Sequence, residues 1–391
     1  QGLPLHTQAE RSSLYEAAKR EVERHNSNKD ALWAAKINFF AVLNEDETKQ
    51  RFGYQGTSKR ESSVGPRPRG ISGTAPKSHD WRDEMPPVVT PVKNQGSCGS
   101  CWAFAATAVM ESAIAIATHD LHELSPQQVT SCTPNPNQCG GSGGCTGATA
   151  QLAFNYTMSV GGVMSIWKYP YTSGLGGGSG DCTTVHSTFG GITGFVQLTQ
   201  NNAEELLQAV LVNPVSVSVA ASDWRWYSSG VFDGCDLEHP VVNHAVVLNG
   251  YGIEENRAKM GFGAKYWLVR NSWGPGWGEK GYIRLKRYDE GKEPCGTDLK
   301  PLDGYSCKTD PPVSIKACGM CGILADSAYP TGGFTGPPVA PPDDPALSTT
   351  LAPADAKPAR LFEQVARPPA GGVVGSAAAA PALPAVLAAL L

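Results

Sequence analysis

The chain has 391 residues, a formal net charge of −4 and only 17% charged residues. The length corresponds to roughly two or three domains. The sequence has no basic block and no interleaving of aromatic and basic residues, which argues against nucleic acid as a partner. The cysteine count, 11, is odd, and it predicts an oxidising secretory route with one thiol left unpaired.

The N-terminal region starts with a helical pattern. Tyr15, Ala18 and Val22 recur on one face of a predicted helix. Residues 53–78 are rich in Gly, Pro, Ser and basic residues, a composition that predicts a flexible and cleavable linker. We therefore expect an N-terminal segment that proteases can separate from the main domain.

A candidate nucleophile follows the linker. Cys101 stands directly before Trp102 and an Ala-rich helical pattern that runs to about Ala117. The positive end of that helix dipole favours the thiolate form of the cysteine. Gln95 lies six residues upstream, beyond a Gly/Ser turn, and offers an amide donor to a developing oxyanion. The stretch predicts a thiol active site.

The rest of the main domain changes from helices to strands. Ser125 is a predicted helix cap, a further helix is predicted over 147–158, and strands are predicted over 215–219, 241–249, 264–269 and 281–285. This order favours an α+β fold over repeated βαβ units. His244 lies in one predicted strand, 143 residues after Cys101, and Asn271 ends another, before a turn that contains Trp273.

The segments around Cys101, His244 and Asn271 together resemble the papain-like (C1, cathepsin L-like) cysteine peptidases, whose local signature C-G-[SA]-C-[WY] the chain carries. The resemblance implies a helical domain facing a β-barrel-like domain, with the cleft between them. Cys101 would be the nucleophile, His244 its acid and base, and Asn271 the residue that orients the imidazole. Gln95 would form the oxyanion hole, and Trp273 would cover the His–Asn bond. No metal or other cofactor is expected, since the CxxC spacing of Cys101 is better explained by a nucleophile than by zinc.

The resemblance also divides the chain. Residues 1–74 resemble an inhibitory propeptide with its linker, in which Thr7, Ala18 and Val42 depart from the family pattern and the first family helix is missing or lies before Gln1. Residues 75–333 would be the peptidase, and 334–391 a Pro/Ala-rich tail. The propeptide would block the cleft until acid weakens its carboxylate contacts. For the tail, a processed or disordered segment, a lipid-anchor signal and a membrane span stay open.

Further residue roles are implied by the same resemblance. The disulfides would be Cys98–Cys145, Cys132–Cys182 and Cys235–Cys321, while Cys139, Cys295, Cys307 and Cys318 have no assigned partners. Substrate would contact Gly147, Ala148, Thr149, Ser218, Asn243, Trp273 and Asp326, and Ala150, Val242 and Ala245 would help to line the pocket for P2, the second residue before the scissile bond. Asp326 there would allow a basic P2 residue beside hydrophobic ones. Asn155 is the single N-x-[ST] glycosylation sequon.

The leading hypothesis is a secreted or lysosomal/vacuolar endopeptidase, made as a zymogen, with protein or peptide substrates and its own propeptide as inhibitor. Endopeptidase action is favoured because no occluding loop with paired His residues lies between Cys132 and Cys182. Two alternatives remain: a non-catalytic binding protein with the same fold, and a transglutaminase-like acyl transferase. The four residues of the predicted site argue against the first, and the Trp-rich turn after Asn271 argues against the second.

Overall fold

The computed structural model describes residues 7–53, 75–183, 188–256, 260–304, 306–308 and 314–336. Most of the predicted linker and nearly all of the C-terminal tail, with its anchor alternatives, lie outside the described residues. Two halves make up the described part after residue 75: helices come first and strands second. The predicted α+β class is confirmed.

Seven α-helices are described. They are α1 (Gln8–Asn26), α2 (Glu45–Lys49), α3 (Cys101–Thr118), α4 (Pro126–Cys132), α5 (Ala150–Ser159), α6 (Ser173–Gly176) and α7 (Ala203–Val210). Short 3₁₀ helices lie at Phe39–Val42, Trp81–Asp83, Gly144–Thr146, Ser222–Trp224, Pro301–Asp303 and Met320–Gly322. The helix predicted over 147–158 began three residues too early, because Gly147 has a φ of 101° and the Thr149 hydroxyl caps the helix by accepting from Leu152 N.

The strands form one large open sheet and two small ones. They are β1 (Trp33–Ala35), β2 (His79–Asp80), β3 (Gly190–Gly191), β4 (Gly194–Gln197), β5 (Val215–Val219), β6 (Tyr227–Phe232), β7 (His244–Ile253), β8 (Lys265–Arg270), β9 (Tyr282–Lys286), β10 (Cys295–Asp298), β11 (Ile315–Cys318), β12 (Ser327–Thr331) and β13 (Phe334–Thr335). The order in the large sheet is β1-β6-β9-β8-β7-β5-β12-β4, with β2 added on β7. Strands β10 and β11 pair with each other, and so do β13 and β3.

The expectation of a barrel-like domain needs correction. Among the described strands, β1 and β4 are the two ends of the sheet order and do not pair with each other. Strand β6 pairs with β9 on one side and, on the other, with β1, which comes from the N-terminal segment. That segment therefore occupies an edge of the sheet, in register from Trp33 opposite Gly230, and it covers backbone groups that an edge strand otherwise exposes.

Helix α3 forms the centre of the helical half. It is long and apolar enough to span a membrane by composition alone, but 83% of its apolar window is buried within the protein, as expected for a core helix. It packs on α4, α5 and β7. Because β7 is also the central strand that begins with His244, the first residues of α3 and β7 are held next to each other.

The N-terminal segment is well ordered by its own signals. Thr7 and Glu10 form a reciprocal capping box at the start of α1, which gives the unexpected Thr7 a structural role. Ala18 and Val22 are buried as predicted, whereas Tyr15 keeps 37% of its surface exposed. The Trp33 ring packs 4.8 Å from Phe232, so apolar contacts as well as β1 fix this segment to the sheet.

Five disulfides use ten of the cysteines and leave Cys101 as the free thiol. Three have the pairing that the resemblance implies: Cys98–Cys145, Cys132–Cys182 and Cys235–Cys321. The two that the sequence left open are Cys139–Cys307 and Cys295–Cys318. Cys139 lies in the helical half, and Cys307 lies in the insert between β9 and β12, so the first of these joins the two halves.

Candidate active site

The free thiol lies at the contact between the two halves. Cys101 is the first residue of α3 and is fully buried. Its Sγ accepts a hydrogen bond from the backbone N–H of Ala245, on β7, at 3.3 Å. The helix start and the central strand therefore both contact the sulfur.

A histidine and an asparagine are paired beside the thiol. The distance from His244 Nε2 to Asn271 Oδ1 is 2.9 Å. Asn271 Oδ1 also accepts from the backbone N–H of Ser272 at 2.7 Å, which fixes this atom as the oxygen because a backbone amide needs an acceptor. Nε2 must therefore donate its proton to Asn271, and in the neutral ring Nδ1 is an acceptor. Nδ1 has no hydrogen-bond partner among the described residues.

An aromatic cluster covers the His–Asn pair. The Trp273 ring stacks on the imidazole of His244 at 5.0 Å between centroids and is 2% exposed. Trp277 packs edge-on against Trp273 at 5.0 Å. The covering role expected for Trp273 fits this arrangement, because a low dielectric strengthens the hydrogen bond beneath it.

Gln95 is fixed by both ends of its amide. Its Oε1 accepts from Ser272 Oγ at 2.5 Å. Its Nε2 donates to two backbone carbonyls, those of Cys98 and Arg51, each at 2.9 Å. The Arg51 carbonyl belongs to the N-terminal segment, so a peptide oxygen already lies at the donor that the sequence assigns to an oxyanion.

The residues next to Arg51 cover the nucleophile. The Phe52 ring lies 5.9 Å from the ring of His244 and 5.9 Å from that of Trp273. Gly53 follows directly over the sulfur, where a Cβ would overlap Cys101 Sγ and lie 2.5 Å from Gly99 O. The sequence placed Gly53 in the linker, which was wrong. Only glycine allows the backbone to approach a buried atom so closely, and nothing in the local sequence distinguishes this glycine from those of the linker.

Burial controls the charge of the pair. It raises the pKa of the Cys101 thiol to about 12 and lowers the pKa of His244 to about 4, although the hydrogen bond that His244 donates to Asn271 works against the latter shift. Both groups are therefore neutral at the pH values of a secretory compartment. The thiolate–imidazolium pair expected from sequence does not belong to this covered state, because desolvation disfavours both charges.

The predicted substrate wall, which starts at Gly147, lies next to Gly53 of the N-terminal segment. The carbonyl of Gly53 contacts the Cα side of Gly147, where any side chain would overlap it. Ala148 is fully buried in the core of the helical half. Thr149 is committed to capping α5. The side-chain amide of Asn243 accepts from Ala221 N at 3.0 Å and donates to Ser222 Oγ at 2.9 Å. These bonds hold the chain in place directly before β7, which begins at His244.

The carboxylate predicted for the P2 pocket is not directed to open solvent. Asp326 accepts from Ser218 Oγ at 2.8 Å and from Gln151 Nε2 at 2.7 Å. Burial raises the pKa of this carboxyl group, and the hydrogen bonds from Ser218 and Gln151 oppose the rise. The ionised form of Asp326 that a basic P2 residue would need therefore carries a desolvation cost in this state. Asn155 lies on α5 and is partly exposed, and its glycosylation stays a prediction.

A free thiol at a helix start, facing a His–Asn pair across two halves, is the arrangement of a cysteine protease. The model of the papain family cysteine proteases matches residues 75–302, and this chain belongs to that family. It is 34% identical over 338 residues to vignain from Ricinus communis, covering 83% of this chain and 81% of vignain. It is 37% identical over 282 residues to pro-cathepsin H from Bos taurus, covering 71% and 78%.

The solved structures agree with the sequence comparison. The chain superimposes on a recombinant stem bromelain precursor with a TM-score of 0.64 and 34% identity, covering 84% of this chain and 94% of the precursor. This coverage extends beyond the match of the family model to the N-terminal segment. The resemblance expected from sequence is confirmed: the protein is a papain-like cysteine protease, a hydrolase, and it is similar to a precursor form.

Proposed function

We propose that the chain is the zymogen of a thiol-dependent endopeptidase that acts through Cys101, His244 and Asn271. The observation that carries this is the tautomer at His244: Nε2 donates to Asn271 Oδ1 at 2.9 Å, which leaves Nδ1 as the base. Nδ1 takes the thiol proton, and the thiolate attacks the peptide carbonyl carbon. The same nitrogen then gives the proton to the leaving amine.

The oxyanion of the tetrahedral intermediate would be bound by Gln95 Nε2 and the backbone N–H of Cys101. Support comes from the Arg51 carbonyl, which already accepts from Gln95 Nε2 at 2.9 Å, and from Ser272, which fixes the other end of the amide. Collapse of the intermediate breaks the C–N bond and leaves a thioester on Cys101. Water, deprotonated by His244 Nδ1, hydrolyses the thioester and restores the thiol.

The segment from Thr7 to Gly53 would be the inhibitor of its own enzyme, within a propeptide that ends near residue 74. Arg51, Phe52 and Gly53 occupy the oxyanion donor, the His–Trp face and the sulfur. Arg11 and Glu47 provide a carboxylate contact that acid can break, with oxygen–nitrogen distances of 2.5 and 2.6 Å. Arg11 also donates to the carbonyl of Val42, one of the positions that depart from the family pattern, so the contact there uses the backbone.

For specificity, we propose a P2 pocket that takes hydrophobic residues and, through Asp326, basic ones. The bonds from Ser218 and Gln151 place the carboxylate between β5 and α5, next to the predicted pocket. A P2 guanidinium would have to compete with these two donors. The proposed substrates are proteins or peptides. A secretory, lysosomal or vacuolar route fits the five disulfides.

The alternatives are weaker. A non-catalytic protein with this fold would not need Gly53, the N-terminal residue whose missing side chain leaves space for the sulfur of Cys101. An acyl transferase of the transglutaminase type uses the same Cys–His chemistry, but residues 75–302 match the papain family.

The test is hydrolysis of a Leu-Arg fluorogenic peptide at pH 5.5 under reducing conditions, before and after acid incubation, with Cys101→Ala as the control. We expect activity to appear on incubation and to be absent in the variant. Wild-type protein that stays inactive while Cys101 is readily alkylated, with the N-terminal segment removed, would contradict the catalytic role.

A further inference from the structure

The insert between β9 and β12 crosses from one half of the protein to the other. Its start is anchored beside the sheet: strand β10 ends at Asp298, and this fully buried carboxylate accepts from the backbone N–H of Val242 at 3.1 Å. Six residues later, Gly304 lies so close to the Val242 carbonyl that any side chain there would overlap it. The insert is thus fixed to the residue two positions before His244.

The other end of the insert is anchored to the helical half. Ser306 accepts from Gly140 N at 3.2 Å, and Cys307 is bonded to Cys139. Both cysteines are buried. Asn135 holds the receiving loop, since its side chain bonds the N–H and the carbonyl of Cys139 at 2.7 and 2.8 Å. The anchor is therefore a rigid loop and not a loose surface contact.

This second anchor lies directly beside the substrate wall. The Gly140 carbonyl and the Gly53 carbonyl both contact the same Cα side of Gly147. Gly53 therefore lies against the loop to which the insert is bonded. On the opposite wall, the insert contacts Val242, which the resemblance places in the P2 pocket. The insert is thus anchored beside Gly147 on one predicted wall of the cleft and at Val242 on the other.

We propose that residues 298–304 and 306–307 of the insert, here termed the clasp, close the cleft on the acyl side after the second subsite. The acyl side holds the residues before the scissile bond, an assignment that rests on the proposed function. A substrate with two residues before the scissile bond fits the cleft with its whole acyl portion. In a longer substrate, the residues before these two must leave the cleft at the clasp. Internal bonds remain cleavable, but a longer acyl portion lowers the rate. The Cys139–Cys307 bridge is the specificity-determining element.

The test is a length series on the acid-activated full-length protein. The probes are N-acylated peptidyl-coumarins with Leu-Arg before the bond, extended by none, one, two or three alanines. We expect kcat/KM of the wild type to fall about tenfold from the shortest to the longest probe, the order of effect that one displaced group causes. In Cys139→Ser/Cys307→Ser the fall should be less than about threefold.

A matched control is provided by the second bridge of the same insert. Cys295–Cys318 joins β10 to β11 without crossing the cleft, so Cys295→Ser/Cys318→Ser should keep the wild-type length dependence. Asp298→Asn is a second variant, which loosens the clasp from Val242 without changing a cysteine. If the double variant does not fold, Asp298→Asn takes its place in the test. Its fall in kcat/KM with probe length should lie between those expected for the wild type and for the double variant.

The outcomes separate the two proposals. A wild type that cleaves all lengths equally overturns the clasp but leaves the peptidase intact. An equal decline in the wild type and in the folded Cys139→Ser/Cys307→Ser variant also overturns it, because the bridge would then not be the cause. A wild type that cleaves none of the probes, while Cys101 is alkylated and the propeptide removed, contradicts the proposed function and the clasp with it.

Discussion

Gly53 covers the sulfur of Cys101 so closely that the space between them cannot hold a methyl group. The contact is made by a residue without a side chain, at the end of a segment whose neighbours Arg51 and Phe52 bind Gln95 and face Trp273. In the proposed zymogen, inhibition depends on backbone atoms at the nucleophile and on the two residues that precede Gly53. A single added carbon, the Cβ of an alanine at position 53, would overlap the sulfur of Cys101.

Gly53→Ala should weaken the propeptide without altering the mature enzyme, since residue 53 is removed with the propeptide. Overpacking of this kind costs about 1–3 kcal/mol, which corresponds to release roughly 5- to 150-fold faster. The measurement is the rate at which activity appears at pH 5.5. Gly178→Ala is the control, since nothing lies within 4 Å of its added carbon. Equal rates for Gly53→Ala and wild type would show that Gly53 does not seal the site.

The Arg11–Glu47 pair should set part of the acid response. Its two side chains are 29% and 14% exposed, and the hydrogen bond that Arg11 donates to Glu47 raises the pKa of Arg11. Glu47→Gln removes the charge but keeps the shape, and we expect release at pH 6 to be about fivefold faster, from a loss of about 1 kcal/mol. Glu45→Gln is the control, because Glu45 pairs with Lys49 at 3.9 Å on an exposed surface. Identical release of both variants would remove Glu47 from the mechanism.

The neutral state of His244 should make the zymogen less stable in acid. Its pKa in the folded protein is about 4, below the value of 6.5 for a free histidine. The unfolded chain therefore binds more protons between these values, so stability is complete above about pH 6.5 and is lost as the pH falls to about 4. The loss from this group is about 3 kcal/mol at most.

The measurement for His244 is the unfolding free energy of the Cys101→Ala zymogen against pH, which avoids self-cleavage. Replacing His244 by Ala in the same background should flatten the curve between pH 6.5 and 4, whatever its effect on the absolute stability. A slope that is unchanged by His244→Ala would mean that other groups carry the acid response.

The sequence could predict the parts of this site that are written in local patterns. The residue types around Cys101, His244 and Asn271 each signal a helix start or a strand end, and the structure brings these three together. It could not predict the role of Gly53, because a single glycine before a Gly-rich stretch has the same local appearance as a linker. The partners of Cys139 and Cys295 were also beyond prediction, because disulfide pairing depends on tertiary distance and not on spacing.

The pocket carboxylate gives a prediction in which pH and specificity are linked. Burial raises the pKa of Asp326, so its ionised fraction grows as the pH rises from acid toward neutral. If Asp326 binds a basic P2 residue, the ratio of kcat/KM for P2 Arg over P2 Leu should rise over that range. Asp326→Asn keeps the shape and the acceptor for Ser218 but removes the charge, and it should lower the ratio roughly tenfold and abolish its pH dependence. The same pH profile measured with P2 Leu alone is the internal control, because it contains every effect of pH on Cys101 and His244. A ratio that stays constant with pH, and equal in the variant, would assign Asp326 to the support of β5 and α5 and not to substrate.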